Sequence, residues 1–182
     1  MTLKFTTSYL EDSIGVLRYY KRLAERAMEQ VADEHLFAML DADGNSIAIV
    51  VKHMAGNMRS RWTDFLTTDG EKSGRNRDSE FEEPAATRAM LMSDWESGWA
   101  CVFGALAPLT DDDMERTVTI RGEAHSAMQA INRQVAHYPY HIGQIVLLAR
   151  HFAGDGWQSL TIPRKQSEEF NRRVATGEVS QR

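Results

Sequence analysis

One cysteine, Cys101, is all the thiol chemistry available to this chain of 182 residues. A single thiol closes no intrachain disulfide and fits a reducing compartment. Cys101 lies between Trp99 and Phe103 in an apolar helical context. A buried, inert thiol is expected there, because a reactive one needs exposure and nearby positive charge. Positive charge is also in deficit: 21 Lys and Arg stand against 26 Asp and Glu, a formal net charge of -5. No basic stripe interleaves with aromatics, so a nucleic-acid partner is not expected. No apolar run approaches the roughly 20 residues that cross a bilayer; the longest, around residues 145–149, is bounded by Gln144 and Arg150. Residues 1–5 show no basic-then-apolar pattern of a signal peptide. The expectation is a cytoplasmic protein with no membrane partner.

What remains is an ordinary globular balance, 42% apolar and 26% charged, in a chain long enough for a real core. No internal repeat, low-complexity tract or linker divides it, so residues 1–182 read as one domain. Four segments carry helical periodicity. The first spans residues 8–31, with Leu10, Ile14, Leu17, Leu23 and Met28. The second opens after Asn45 and Ser46, good N-cap residues, aligns Ile47, Val50, Met54, Met58, Trp62 and Phe65, and ends near residues 67–70. Residues 70–82 are polar and read as a long surface loop. Pro84 suits the first turn of a third helix, which carries Met90, Leu91, Trp95, Val102 and Leu106 and stops before Pro108. Asp111, Asp112 and Asp113 form a solvated turn.

Residues 116–122 alternate and are β-branched, which predicts a short extended piece or hairpin arm. The fourth helix runs over residues 125–152 through Met128, Ile131, Val135, Tyr138, Ile142 and Ile145, and Gly154 stops it. A short charged helix follows within residues 164–174, its charges a solvated face, and residues 175–182 fray. Trp62, Trp95 and Trp99 at helical spacing read as core. The fold class is therefore all-α, a bundle whose interior is the natural place for a polar site.

The chain holds six histidines. Two stand four apart in His137-Tyr138-Pro139-Tyr140-His141. On a helix such residues share a face, with Cβ atoms roughly 5–6 Å apart, so two imidazoles can reach one ion through bonds of about 2.0–2.1 Å. On spacing alone, such a pair is more often inert on a helix face than a metal site. It is not the zinc-protease motif, which places Glu directly after the first histidine, where Tyr138 stands here. Pro139 removes a backbone donor and crowds the carbonyl of Val135, at a cost of about 3 kcal/mol in a helix interior. Either the helix kinks there, or it begins nearer Pro139 and His137 precedes it. His53 falls one position off the apolar stripe of the second helix. A ligand there would complete a three-histidine face with open positions for water or substrate. His35 reads as a surface residue, and His125 and His151 as terminal residues of the fourth helix with no site role.

The run His137-Tyr138-Pro139-Tyr140-His141-Ile142-Gly143-Gln144 resembles the signature of the DinB-like superfamily of metalloenzymes, also called DinB/YfiT-like. Its members carry two histidines four apart in the last bundle helix, with Gly-Gln closely following. Residues 46–57, with His53, resemble that family's helix bearing another ligand histidine, and residues 157–171 resemble the tail of an uncharacterised branch. The likeness covers nearly the whole chain in order of elements. It implies a four-helix bundle with one longer crossover, a short extended piece before the last bundle helix and a short C-terminal helix. It also implies frequent homodimers and one divalent metal, zinc or nickel, held by His53, His137 and His141. Asn57 and Gln144, each about a turn from a ligand, are candidates to contact a ligand histidine or the substrate, with plain surface polarity the equal alternative; Arg61 and Tyr140 are further candidates. Members of known activity include thiol-dependent S-transferases and isomerases that use low-molecular-weight thiols, so a small thiol is the implied co-substrate. The alternative is a non-catalytic, metal-binding or stress-response dimer. No Asp or Glu presents itself as a general base, and catalytic residues stay unassigned.

Overall fold

The computed structural model describes residues 5–82 and 87–180. Among them are five α-helices and one two-stranded sheet. Helix α1 (Tyr9–Met28) starts where the Ser8 side chain accepts from the backbone N–H of Glu11, satisfying one of the free donors of the first turn. Helix α2 (Ile47–Trp62) starts the same way, with the buried Ser46 hydroxyl accepting from Ile49 at 3.2 Å. It ends earlier than the periodicity suggests. Thr63 is extended, Asp64 takes a φ of 50°, and the N–H groups of Thr67 and Thr68 both donate to the Asp64 carbonyl. Phe65 is still buried, but from a turn rather than the last helical turn.

Helix α3 (Arg88–Leu106) is capped by Thr87, whose side chain accepts from Met90; Pro84, expected in its first turn, lies outside the described residues. Met90, assigned to the buried face from its spacing, is 56% exposed, because the helix turns Leu91, Trp95 and Trp99 inward instead. Gly98 lets α3 approach α2 closely: a Cβ there would stand 3.0 Å from the Ala55 Cα. The three aspartates at 111–113 open a 3-10 turn, Asp111–Glu115, closed by a Thr110–Asp113 capping box.

Strands β1 (Thr117–Ile120) and β2 (Glu123–Ser126) form the hairpin that residues 116–122 suggest, with Thr117 opposite Ser126 and Ile120 opposite Glu123. Arg121 and Gly122 both have positive φ, 55° and 78°, as a two-residue turn matched to strand twist requires. His125 and Ser126 thus belong to β2, and Ser126 also caps helix α4 (Ala127–Ala153) in a capping box with Gln129. α4 runs without interruption through Pro139 and stops at Gly154, whose φ is 54°. His137 and His141 therefore both lie within the helix, which resolves the alternatives that Pro139 leaves open. A short helix α5 (Ser167–Ala175) follows and buries no residue.

Helix α1 lies along α4, α2 lies along α3, and α2 also meets α4. Their inward faces merge in one core built around Leu17, Met54, Trp95, Trp99, Tyr138 and Ile142. Trp62 is 2% exposed and Trp95 and Trp99 are fully buried, as their spacing predicts. Cys101 is only half-buried, packed against this core rather than enclosed by it. No described helix is long and apolar enough to cross a membrane.

Candidate metal centre

Where α2 meets α4, three histidines converge. His53 is buried on α2, while His137 and His141 are half-buried one turn apart on α4. The rings of His137 and His141 stand 4.6 Å apart, and that of His53 lies 4.8 Å from His141 and 5.6 Å from His137. One ligand nitrogen from each lies within 4.8 Å of the others, close enough for all three to hold one metal ion. His137 Nε2 and His141 Nε2 are 3.0 Å apart. Two nitrogens on one ion, each about 2.0–2.1 Å from it, are separated by roughly that distance.

The opposite ring nitrogens explain the orientation. His53 Nδ1 meets Glu80 Oε2 at 2.9 Å, His141 Nδ1 meets Gln144 Oε1 at 2.8 Å, and His137 Nδ1 meets Gln134 Oε1 at 3.3 Å. An Nδ1 facing an acceptor oxygen carries the ring proton, so each Nε2 presents a lone pair. Two such lone pairs 3.0 Å apart repel unless a shared proton or a metal ion lies between them, and a metal ion in reach of all three histidines removes the conflict. Hydrogen bonds of this kind behind ligand imidazoles fix the tautomer and raise the basicity of the ligand nitrogen.

Electrostatics favour the same neutral, metal-binding form. Burial, the neighbouring His141 and His53, and then Arg61 and Arg75 push the His137 imidazole down to about 3. Burial also lowers His141; the Gln144 bond opposes this, and the charges of His53 and Arg77 add to it. Burial works against the Glu80 carboxylate, but its bonds from His53 and Arg75 outweigh that and hold it below the usual range.

Glu80 comes from the loop at 70–82, which is not the plain surface segment its polarity suggests. It folds back over α2, and its 3-10 turn Asp78–Phe81 brings both Glu80 and Phe81 to His53. Phe81 stacks on the His53 ring at 4.7 Å. Arg75 holds Glu80 through two bonds of 2.7 and 2.8 Å. The loop is itself anchored to the hairpin. Gly70 N–H donates to the Thr119 carbonyl at 2.8 Å, and Asp69 accepts from the N–H groups of Glu71, Arg121 and Gly122 at 2.7–2.8 Å. Gly56, one turn beyond His53, leaves the space the carboxylate occupies, since a Cβ there would collide with Glu80.

Of the other candidates, Gln144 bonds directly to His141. Asn57 lines the cleft over the histidines and accepts from the Tyr138 hydroxyl at 3.1 Å. Arg61 is buried and bonded to the Gly70 carbonyl and to Glu71, while Tyr140 is exposed at the cleft. His35 is half-buried and stacks on Phe152, His125 bonds to the Glu123 carbonyl, and His151 is exposed; none joins the cluster. Sequence reasoning missed Glu80, Arg75, Phe81 and Gln134. One signal for the loop existed: Phe81 is an aromatic inside an otherwise polar stretch, and it marks where the loop meets the protein.

The histidines open onto a cleft of about 770 Å³. Among the described residues, no fourth His, Cys, Asp or Glu joins the three. The family described as a protein of unknown function, DUF1572, matches residues 4–166. No curated protein and no solved structure matches the chain.

Proposed function

The chain belongs to the DUF1572 family, and from that premise we propose that it is a divalent-metal enzyme of the DinB-like kind, acting on a low-molecular-weight thiol. The observation that carries this reading is the set of three histidines lining an open cleft with ligand nitrogens within 4.8 Å of one another, each with an acceptor at Nδ1. α1 to α4 are read as the DinB-like four-helix bundle, on the pairing of α1 with α4 and of α2 with α3.

His53, His137 and His141 fit a metal by donor type, spacing and protonation, with zinc or nickel suited to an all-imidazole set. A divalent ion bound by three neutral imidazoles keeps its full charge and supplies Lewis acidity, which lowers the pKa of a thiol or water toward neutrality. The residues do the rest. Glu80 and Gln144 hold the rings of His53 and His141, and Phe81 shields one face of His53. Glu80 is tied to both His53 and Arg75, which leaves it a poor candidate to take a proton from substrate. Thiol transfer, in which the thiol proton passes to solvent, needs no such base.

The alternative, a metal-binding protein without turnover, is favoured by a coordination shell closed with a fourth protein ligand. The open cleft argues for the enzyme. A homodimer, expected from the resemblance, is part of the proposal and is tested by light scattering of the purified protein.

The test begins with elemental analysis of tag-free protein beside the variant carrying His53→Ala, His137→Ala and His141→Ala. About one zinc or nickel per chain, lost in the variant, is the expected result. Loaded protein is then assayed with cysteine, glutathione and other small thiols against monochlorobimane. There a C–S bond forms, the C–Cl bond breaks, chloride leaves and the thiol proton passes to solvent. Metal content without turnover on any thiol and electrophile pair would leave the non-catalytic reading; no metal uptake at all would remove both.

A further inference from the structure

In a chain whose acidic residues outnumber its basic ones, the cleft over the histidines is lined by Arg61, Arg75, Arg77, Arg121 and Arg133, and among the described residues by no carboxylate. Among the described residues, two carboxylates pair with their side chains. Glu71 meets Arg61 at 2.9 Å and Arg121 at 3.2 Å, and Glu80 meets Arg75 at 2.7 Å. Among the described residues Arg77 and Arg133 have no ion pair, and Arg77 lies over the ring of Phe81, 5.1 Å from its centroid. Like charges gathered this closely repel and destabilise the compact state. Arg61, Arg75 and Arg121 are accounted for by their bonds to Glu71, Glu80 and the Gly70 carbonyl; Arg77 and Arg133 have no such partner among the described residues, and an anion in the cleft would supply one.

The placement is specific. Arg133, His137 and His141 follow one another at i, i+4 and i+8 on α4, so they share a face. About 6 Å of helix rise separates Arg133 from His137, the length of a succinate-sized molecule. Arg77 approaches from the other side, over the Phe81 that stacks on His53. Guanidinium groups bind planar oxyanions through paired N–H donors and are preferred for carboxylate and phosphate.

We propose that the cleft takes a small substrate carrying an oxyanion, a carboxylate or phosphate, at a few ångströms from the atom that meets the histidines, and that Arg133 and Arg77 hold that oxyanion. This rests on the reading of the three histidines as the reaction centre. It narrows the thiol class to acidic thiols and sets neutral or cationic ones, such as cysteamine, at a disadvantage.

Calorimetric titration of tag-free protein, with and without added zinc, tests it with succinate and inorganic phosphate as probes and succinamide as the neutral isostere. Both arginines are exposed, so Arg133→Gln and Arg77→Gln are expected to fold, as helical circular dichroism will check. At least one dianion is expected to bind well ahead of succinamide, to weaken with added salt, and to lose about tenfold in affinity in each variant. Zinc content is expected to stay unchanged in both variants. Binding by phosphate but not succinate assigns the oxyanion as phosphate, and the reverse as carboxylate. No discrimination by charge, or variants that bind the dianions as the parent does, overturns the proposal while leaving metal uptake intact. A protein that takes up no zinc yet binds a dianion through Arg133 overturns the metal reading instead and leaves the oxyanion site standing.

Discussion

Replacing Glu80 is the sharpest test of how the centre is held. Its carboxylate meets His53 Nδ1 at 2.9 Å and Arg75 Nε at 2.7 Å, and the three side chains are 7%, 5% and 5% exposed, so solvent screens none of these contacts. Truncation in Glu80→Ala would leave His53 without its acceptor and Arg75 with Glu71 alone, at 3.3 Å. Breaking a buried pair by removing one partner costs about 3–5 kcal/mol, enough to endanger the fold itself. The isosteric Glu80→Gln separates the two effects. It keeps an oxygen that can accept from His53 Nδ1–H and from the terminal Arg75 nitrogen, as Oε2 does, but loses the charge and turns an amide NH2 toward the Arg75 Nε–H. Loss of a partner behind a ligand histidine weakens metal affinity by about 10–100-fold. We expect Glu80→Gln to fall near the lower end and Glu80→Ala, if folded, near the upper. Competition with a chromophoric zinc chelator reads the affinity, and urea unfolding of the metal-free proteins reads the stability separately. Glu71→Gln is the control, because Glu71 touches Arg61, Arg75 and Arg121 but no histidine; its zinc affinity should stay near that of the parent. Glu80→Gln and the parent binding zinc equally, with Glu80→Ala folded and equal as well, would refute the reasoning and leave Glu80 as a counter-ion for Arg75.

Three further outcomes follow from particular contacts. Burial pushes the Tyr138 phenol up, and its hydroxyl accepts from Trp62 Nε1 at 2.8 Å and donates to Asn57 at 3.1 Å. Tyr138→Phe strands both partners in the interior and should cost about 1–3 kcal/mol, read as a lower urea midpoint; an unchanged midpoint would mean the bonds contribute nothing. Gly98→Ala places a Cβ 3.0 Å from the Ala55 Cα and 3.1 Å from Met58 Sδ. The sulfur can move and the backbone cannot, so an overpacking cost of about 1–3 kcal/mol should exceed the helix-propensity gain of about 1 kcal/mol, and a stabilised variant would contradict the close approach of α2 and α3. The three backbone N–H donors on Asp69 hold its carboxyl below its ordinary value of 3.8. A depressed folded pKa contributes stability that is present above 3.8 and is lost as pH falls through the folded value. Asp69→Asn should therefore flatten the acid limb of the stability profile below that pH and leave its slope near neutrality unchanged.

The helices were legible because their signals are local. Ser8 and Ser46 cap the helices they precede, Leu17, Met54, Met58 and Ile142 repeat at the period that buries one face, and Gly154 stops the last helix at the expected place. The same reasoning erred where tertiary contacts decide. The apolar stripe of α2 continues to Phe65, but the Asp64 turn ends the helix at Trp62 and brings Phe65 in from outside it. Met90 fits the period of α3, yet lies at its first turn and is exposed. Pro139 left two geometries open, and local physics does not choose between them. The capping box at Ser126 and Gln129 starts α4 well before the proline, so the helix is already established when it meets the lost hydrogen bond.

The division recurs at the centre, and there it bears on function. The three histidines stand on helices, where spacing of four and an apolar stripe can place them from sequence. What turns the rings comes from two sources. Gln134 and Gln144 each sit three residues from their histidine on the same helix, a spacing that periodicity can recover. Glu80 reaches His53 across 27 residues of chain, through a loop with no repeat. Its position depends on Asp69 gripping the turn of a hairpin more than fifty residues away, on Arg75 inside the loop, and on the absence of a side chain at Gly56. None of these has a period, and all but the Arg75–Glu80 pair join parts of the chain far apart in sequence. A loop anchored by such contacts carries both the acceptor for His53 and Arg77 of the cleft wall, so under the proposed reading it would couple the metal ligands to the recognition of substrate charge. Change in this loop can therefore alter what the cleft accepts while the helices that hold the histidines stay as they are.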